Sequence, residues 1–246
     1  MTMIEICCGS YEDALAAWRG GAGRIELNSA LALGGLTPSA ACVRLVKGST
    51  GLKVISMVRP RGAGFCYTEA EAEQMFAEAE ELLEAGSDGL AFGFLTGDRR
   101  IDRDRTARMV ELIHGFGKEA VFHRAFDCAG DPYEAMETLI GLRVDRVLTS
   151  GQEEKAVQGA YLLGKLQAKY GDRIQILAGS GVNASNAGDL MERTGLTQVH
   201  SSCKGWRRDE TTTGERVHYR FAPDPHGDDY DVVSEELVRR LVESAG

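Results

Sequence analysis

The chain has 246 residues, 43% hydrophobic and 26% charged, which is the composition of an ordinary globular protein. Its 37 acidic residues exceed its 28 basic residues and give a formal charge of -9, which argues against nucleic acid as a partner. The six cysteines form no C-x-x-C pair, and no apolar run approaches the roughly 18 residues of a membrane span, so zinc fingers, disulfide scaffolds and transmembrane helices are disfavoured.

Short apolar runs alternate with helix-length amphipathic segments along most of the chain. The runs predict eight strands, which lie in chain order at residues 4–7, 24–28, 53–58, 88–92, 118–123, 144–149, 173–178 and 197–201. A helix is predicted after each of the first seven strands, beginning near residues 10, 37, 68, 102, 131, 153 and 183. Local signals support these starts: Thr68 and Glu71 have the spacing of a capping box, and Pro132 follows Asp131 at a first helical position.

The strand starts recur at intervals of roughly 20–35 residues, the length of one βα unit, and eight such units predict a single α/β (β/α)8 TIM barrel. A doubly wound open sheet is the alternative, but it usually has fewer strands and a Gly-rich phosphate turn, which the segment from Cys7 to Ser10 does not supply. We expect the barrel to span residues 1–202. We expect residues 203–246 to be a polar C-terminal extension of the same domain that ends in a helix at 234–244. The extension is expected to cap the barrel, to mediate self-association into a homo-oligomer, or to be partly disordered.

Polar side chains are frequent at the carboxyl ends of the predicted strands, where barrel proteins of this kind build their sites. A charged side chain at such a buried position requires a counterion or indicates a functional role. Because side chains two apart in a strand share a face, we expect these groups to meet in one pocket. The candidates are Glu5, Arg24, Glu26, Arg59, Arg61, His123, Arg124, Asp127, Ser150, Gly179, Gly181, His200 and Ser201.

The predicted pocket is slightly positive although the whole chain is acidic. Arg59 and Arg61 follow the third strand with the same parity, and a guanidinium suits a carboxylate or a phosphate. The loop at Gly179 and Gly181 is Gly-rich and precedes a helix, an arrangement with which this fold commonly binds phosphate. We therefore expect a small anionic ligand, bound by Arg24, Arg59, Arg61, Arg124, Ser150, Gly179, Gly181, His200 and Ser201.

Each of these features also has a purely structural interpretation. Glu5 and Arg24 fit an ordinary buried ion pair, and His200 fits a hydrogen-bonded core histidine. Ser150 followed by Glu153 fits a capping box at the start of the sixth helix. The convergence of so many charges at one end of a barrel favours the functional interpretation, because each buried charge costs stability.

The cysteines suggest a second kind of site. Cys7 shares the parity of Glu5 and is predicted to point into the barrel, whereas Cys8 faces the helices. Thiol and imidazole suit Cu(I), so Cys7 and His200 are candidate copper ligands, with Cys203 nearby. The alternative is that each thiol is a small buried hydrophobe. The first residues show no basic segment followed by an apolar run, and reduced thiols fit a cytoplasmic location.

Between residues 3 and 202 the chain contains the segments IEICCGSYEDALAAWRGGAGRIEL, GGLTPS, MVRPRGAGFCY, FHRAFD, VDRVLTSG, LAGSGV and VHSS. In combination these segments resemble the CutC family, which is named for copper homeostasis. The resemblance implies a cytoplasmic single-domain barrel. It also implies a copper role that involves a cysteine in the first strand, matched here by Cys7, and one just after RIEL, where this chain has Asn28, a poor Cu(I) ligand.

Three functions follow from these observations. The first is a CutC-like protein of copper homeostasis, with a copper ion as its partner. The second is an enzyme that performs acid/base chemistry such as isomerisation, aldol-type cleavage or hydrolysis on a small anionic or phosphorylated metabolite. Its candidate catalytic residues are His123, Glu5, Glu26 and Asp127. The third is a noncatalytic barrel that acts through its extension, where the Trp206–Arg208 segment hints at a binding patch.

Overall fold

The computed structural model describes residues 2–245 and contains a closed barrel of eight parallel strands, in which each strand pairs with the next along the chain. The first strand pairs with the eighth, with Glu5 opposite His200, so the barrel has no open edge. The predicted fold is confirmed, and every predicted run overlaps an observed strand. The strands are β1 (Met3–Cys8), β2 (Arg24–Leu27), β3 (Lys53–Met57), β4 (Gly89–Phe92), β5 (Glu119–Phe122), β6 (Arg146–Thr149), β7 (Gln175–Ala178) and β8 (Gln198–Ser201).

Helices surround the barrel and cover its strands with apolar side chains. The predicted start signals are present, since Thr68 and Glu71 form a reciprocal capping box and Pro132 follows the cap Asp131. In the described part of the chain, no helix has the length and apolarity needed to cross a membrane. The helices are α1 (Tyr11–Arg19), α2 (Ala40–Ser49), α3 (Glu69–Glu84), α4 (Arg103–Gly115), α5 (Pro132–Gly141), α6 (Ala160–Tyr170), α7 (Ala187–Thr194) and α8 (Glu235–Ala245).

Three helices begin later than the sequence predicts. The helix expected from residue 37 begins at Ala40, with Ser39 as its cap. The helix expected from residue 153 begins at Ala160, and turns and bends occupy residues 151–159. Gly151 and Gln152 have φ angles of 73° and 59°, which an α-helix does not contain. The helix expected from residue 183 begins at Ala187, and residues 184–186 form a turn before it.

The extension folds against the barrel as an antiparallel hairpin of β9 (Lys204–Arg208) and β10 (Asp229–Val233), followed by α8. The helix packs on α1, α7 and β1, with Val238 fully buried at the contact. The backbone N–H of Val233 donates to Asp13 Oδ1 at 2.7 Å, which ties the end of the hairpin to α1. The extension is therefore part of the packed structure.

The barrel interior has an apolar middle layer above a polar floor. Ile55, Met57, Ala91 and Val121 pack together inside the barrel. At the amino ends of the strands, six side chains form a continuous hydrogen-bonded chain that we call the floor network. Each member is the first residue of its strand, so the network follows the amino-terminal rim. In order of contact the members are Lys53, Glu119, Arg146, Gln175, Gln198 and Arg24.

Glu5 connects the floor network to the other end of the barrel. Arg24 Nε donates to Glu5 Oε2 at 2.5 Å, and Glu5 Oε1 lies 2.9 Å from His200 Nδ1. Glu5 and Arg24 are each only 2% exposed. The structure thus places Arg24 at the floor and not in the ligand pocket where the sequence predicted it, because Arg24 is the first residue of β2.

We expect Arg24→Met to destabilise the protein by about 3–5 kcal/mol, because it leaves the Glu5 carboxylate buried without its main cation. Urea unfolding followed by circular dichroism measures the change in free energy. Arg239→Met is the matched control, since Arg239 pairs with Glu235 on the exposed face of α8 and such pairs contribute about 0.3–0.5 kcal/mol. Equal effects of the two substitutions would show that the buried Arg24–Glu5 pair contributes no more to the free energy of unfolding than an exposed pair does.

Candidate functional site

The carboxyl ends of the strands surround a cavity of about 500 Å³, which we call the mouth pocket. This is the end at which barrels of this class place their active sites. Eight residues singled out from the sequence line it together: Cys7, Glu26, Arg59, His123, Arg124, Gly181, His200 and Ser201. The remaining lining residues are Leu31, Gly34, Met57, Phe65, Leu148, Ser180, Ser202 and Lys204.

One side of the mouth pocket, formed by β8, β1 and β2, carries Cys7, Glu26 and His200, which we call the cysteine cluster. One ligand atom from each of the three side chains lies within 4.8 Å of the other two. Cys7 Sγ is 3.9 Å from Glu26 Oε2. Asn28 Nδ2 donates to Glu26 Oε2 at 3.1 Å and lies 3.6 Å from Cys7 Sγ. The cluster therefore offers sulfur, nitrogen and oxygen donors at one place.

Burial and hydrogen bonding set the ionisation of the cysteine cluster. Although burial opposes the charge, hydrogen bonding with Cys7 and Glu5 and the charge of Glu26 raise the pKa of His200 well above its usual 6.5. Burial also works against Glu5, but Arg24 and His200 lower the pKa of Glu5 to about 2. Burial raises the pKa of the Glu26 carboxyl and of the Cys7 thiol. Glu5 is thus a carboxylate and His200 an imidazolium at neutral pH.

His123 follows β5, on the opposite side of the barrel from β1. It is 3% exposed, and its Nδ1 accepts the backbone N–H of Ala125 at 3.1 Å. Its Nε2 has no hydrogen-bond partner among residues 2–245. Burial and the nearby charge of Arg59 lower the pKa of His123 to about 3, so the ring is neutral. With Nδ1 acting as acceptor, the single ring proton is on Nε2.

Arg59 lies on the same side of the mouth pocket and is 7% exposed. Its Nη1 donates to the carbonyl oxygens of Leu33, Gly34 and Gly35, and its Nη2 donates to that of Ala63 at 2.7 Å. Within the described residues it forms no salt bridge, and its Nε has no partner. Its guanidinium also lies over the ring of Phe65, 5.1 Å from the ring centroid, so carbonyl dipoles and an aromatic face compensate this buried cation.

Arg61 does not line the mouth pocket, contrary to the prediction. Its Nε lies 2.5 Å from Glu71 Oε1, and its guanidinium stacks over the ring of Tyr67. The predicted parity with Arg59 does not hold, because the chain leaves the strand after Met57 and turns outward. Glu71 belongs to the capping box of α3, so the helix start draws Arg61 away from the barrel axis.

Asp127 and Ser150 support the wall without lining the mouth pocket. Asp127 accepts hydrogen bonds from Thr149 Oγ1 at 2.5 Å, from the backbone N–H of Ser150 and Gln152, and from Arg124 Nε at 2.8 Å. These bonds hold Arg124 at the rim. The capping box predicted for Ser150 is absent, since its hydroxyl donates to the backbone carbonyl of Glu153 and no helix starts there.

The two glycines of the loop after β7 have different roles. Gly181 lines the mouth pocket and has a positive φ of 72°. Gly179 is not in the lining; a Cβ there would lie 2.7 Å from Leu148 Cδ1 and 3.4 Å from His200 Cβ. Glycine at 179 therefore permits close packing behind the pocket.

Sequence reasoning missed the apolar part of the wall and its rim. Leu31 begins a short 3-10 helix and Phe65 lies in a loop, so neither follows strand periodicity and no pattern identified them. Lys204 opens β9, beyond the predicted barrel, and its Nζ lies 3.2 Å from Asp231 on β10. The extension thus contributes a side chain to the mouth pocket, a role that its polar sequence did not indicate.

The fold and its pocket define a (β/α)8-barrel protein with a polar cavity at the carboxyl ends of its strands. Residues 2–205 match the model of the CutC family, so the chain belongs to the CutC family, as its motifs predicted. The match ends within the extension, at Gly205 near the start of β9.

Similar proteins support this assignment. A CutC family protein of Treponema denticola is 42% identical over 98% of both chains. The copper homeostasis protein cutC homolog of Mus musculus is 41% identical over 83% of this chain and 75% of its own length. The crystal structure of the putative copper homeostasis protein CutC from Streptococcus agalactiae has a TM-score of 0.77 at 29% identity, covering 82% of this chain and 99% of that one.

A likeness to N-(5'-phosphoribosyl)anthranilate isomerase from Pyrococcus furiosus shows the fold alone. Its TM-score is 0.58 at 14% identity, covering 100% of this chain and 98% of the isomerase. Barrels of this class host many unrelated chemistries, so the fold by itself does not define a function.

We expect His123→Phe to reduce the loss of stability between pH 7 and pH 5 by ~2 kcal/mol. The folded protein keeps His123 neutral down to about pH 3, whereas an unfolded histidine takes up a proton below about pH 6.5. Acid therefore favours the unfolded wild type, and its free energy of unfolding decreases as the pH is lowered from 7 to 5. Urea unfolding at both pH values measures the difference. The exposed His218, substituted as His218→Phe, is the control, and an identical pH dependence in all three proteins contradicts a neutral buried His123.

Proposed function

We propose that this protein serves in copper homeostasis and binds copper at the cysteine cluster. The observation that carries the proposal is the meeting of a thiol, an imidazole and a carboxylate within 4.8 Å in the wall of an accessible pocket. Thiolate and imidazole are suited to Cu(I). Family membership supports the proposal, since the mouse and human relatives are named copper homeostasis protein cutC homologs. We place this activity in the cytoplasm, where free thiols persist.

The contact between Glu5 and His200 suits metal binding. Glu5 occupies Nδ1 of the imidazole, so Nε2 is the nitrogen available to an ion. A carboxylate behind a ligating imidazole is the usual way in which proteins orient such a ligand. Cys7 supplies the thiol, and copper binding releases its proton and that of His200, because both ligands bind in their deprotonated forms. Cys203 stays outside the cluster, with its Sγ 3.6 Å from Ser201 Oγ.

We expect Cys7→Ser to weaken Cu(I) binding at least ~10-fold, because it removes the one soft ligand of the cluster. Competition against a coloured Cu(I) chelator measures the affinity. Cys66→Ser is the matched control, since Cys66 is an exposed free thiol that does not line the mouth pocket. If Cys7→Ser and Cys66→Ser bind copper alike, the cysteine cluster is not the copper site.

The same competition tests ligand number through Asn28→Cys. Asn28 Nδ2 lies 3.6 Å from Cys7 Sγ, so a thiol at position 28 would stand beside the first one. We expect ~10-fold tighter Cu(I) binding, because two thiolates satisfy the ion better than one. An unchanged affinity would contradict the ligand argument.

The size of the mouth pocket favours a second candidate function, an enzyme that acts on a small anionic organic molecule. A volume of about 500 Å³ is far more than one ion fills and lies in the range of small-molecule sites, about 300–1,000 Å³. A pKa of about 3 makes His123 a weak acid/base group, and a pKa of about 2 makes Glu5 a weak base. Burial instead raises the pKa of the Glu26 carboxyl above that of an exposed one. We assign Glu26 as the base, with the His200 imidazolium as the acid.

We expect Glu26→Gln to slow proton abstraction from carbon at least ~100-fold. Small hydroxy acids, keto acids and sugar phosphates are incubated with the protein in deuterated water, and proton NMR follows the loss of a C–H signal. Glu80→Gln, on the exposed face of α3, is the control. If no compound exchanges, or if both variants exchange equally, Glu26 is not a catalytic base.

A further inference from the structure

The loop after β7 has open hydrogen-bond donors beside carbonyl oxygens that are already occupied. Ser180 and Gly181 line the mouth pocket, and Val182 follows them. Each of the three carbonyl oxygens accepts a hydrogen bond from within the protein. In order along the loop, the donors are the backbone N–H of Ala156, Nδ2 of Asn186 and Oγ of Ser201. The backbone N–H groups of the same three residues donate to no atom of residues 2–245.

The peptide geometry directs the N–H of Gly181 to the open side of the loop. In a trans peptide, a carbonyl and the N–H that follows it point in opposite directions. The carbonyl of Ser180 faces Ala156, which is fully buried and does not line the mouth pocket. The N–H of Gly181 therefore points away from this packed side. Ser180 and Gly181 have φ angles of 81° and 72°, the first of which is uncommon for a serine.

The chain after β8 brings further donors and a cation to the same end of the barrel. The hydroxyl of Ser201 donates to the carbonyl of Val182 at 2.6 Å and so ties the two loops together. Ser202 is an exposed residue of the pocket lining, and neither its N–H nor its hydroxyl has a partner in the described chain. Lys204 also lines the pocket, with its side chain 43% exposed. Its ammonium has three N–H donors, and Asp231 at 3.2 Å occupies at most one of them.

We propose that residues 180–182, Ser202 and Lys204 bind the phosphate of a small phosphorylated molecule, the rest of which extends across the mouth pocket toward Cys7 and Glu26. A phosphate monoester has a second pKa of about 6, so it is largely a dianion at neutral pH, with three free oxygens. Backbone N–H groups, a hydroxyl and an ammonium suit such a group better than a carboxylate, which has two oxygens and one charge. The cavity of about 500 Å³ leaves room for the organic part.

The proposal rests on the second candidate function, because it names the anionic group of that ligand. It concerns binding and requires no turnover. A failed exchange assay would therefore leave it intact, and its own failure would leave Glu26 as a candidate base for an unphosphorylated acid. It stands apart from copper binding, since the loop residues and Lys204 are not members of the cysteine cluster.

The test is an NMR titration of the metal-free full chain labelled with ¹⁵N. The probes are inorganic phosphate and methyl phosphate, with acetate and chloride at equal ionic strength for comparison. We expect both phosphates to move the backbone N–H resonances of Gly181 and Ser202 in a saturable manner, and acetate and chloride to leave them in place. These wild-type resonances need no variant, so the answer does not depend on how a variant folds.

A pair of variants tests the cation. We expect Lys204→Met to weaken the binding of both phosphates about 10-fold, because it removes the charged donor. Lys165→Met is the matched control, since Lys165 lies over the ring of Tyr161 on the exposed face of α6, and its affinity is expected to equal that of the wild type.

Other results would overturn the proposal. Acetate that binds as tightly as the phosphates would show a site for any small anion. Binding of inorganic phosphate without binding of methyl phosphate would exclude a phosphorylated molecule as the ligand. Equal affinities of the wild type and a folded Lys204→Met, or N–H resonances that no phosphate moves at millimolar concentration, would show that these residues form no phosphate site.

Discussion

The double hydrogen bond of Glu5 is the interaction on which both the barrel and its pocket depend. Its carboxylate binds Arg24 on one neighbouring strand and His200 on the other, at the seam where the first and last strands meet. One buried anion thereby fixes the alignment of three strands and completes the floor network. The same carboxylate accepts a hydrogen bond from Nδ1 of His200. A residue beneath the pocket therefore fixes the orientation of this pocket side chain.

The two histidines of the mouth pocket show how strongly the surroundings decide ionisation. His200 lies among acidic partners, and hydrogen bonding with nearby negative charge overcomes its burial, so its pKa rises. His123 lies against Phe65 and Phe122 and beside Arg59, so burial and a like charge act together and its pKa falls. At one pH the pocket therefore contains a charged imidazolium and a neutral ring. That difference supports separate roles for its two sides.

Periodicity was sufficient to predict the barrel, because parallel strands and their covering helices bury residues at regular spacing. Parity also brought Cys7, Glu26 and His200 together. It failed for Arg24 because alternation tells which face a side chain occupies and not how deep it lies along the strand. It failed for Arg61 because a loop follows no alternation, and the nearest carboxylate, Glu71, decided its position. The late start of α6 depends on Asp127, 26 residues before Glu153, and no local pattern reveals so distant a partner.

The ion pair of Lys204 with Asp231 makes the charge at the rim of the pocket independent of the barrel strands. The residue that holds Lys204 lies beyond position 205, where the family match ends, on a hairpin that contributes nothing to the floor network. Substitutions in that hairpin can change the charge at the entrance while strand alignment and the buried ion pairs stay as they are. The charge at the entrance and the alignment of the barrel strands are therefore under separate constraints, and a substitution at Asp231 can change the first without the second.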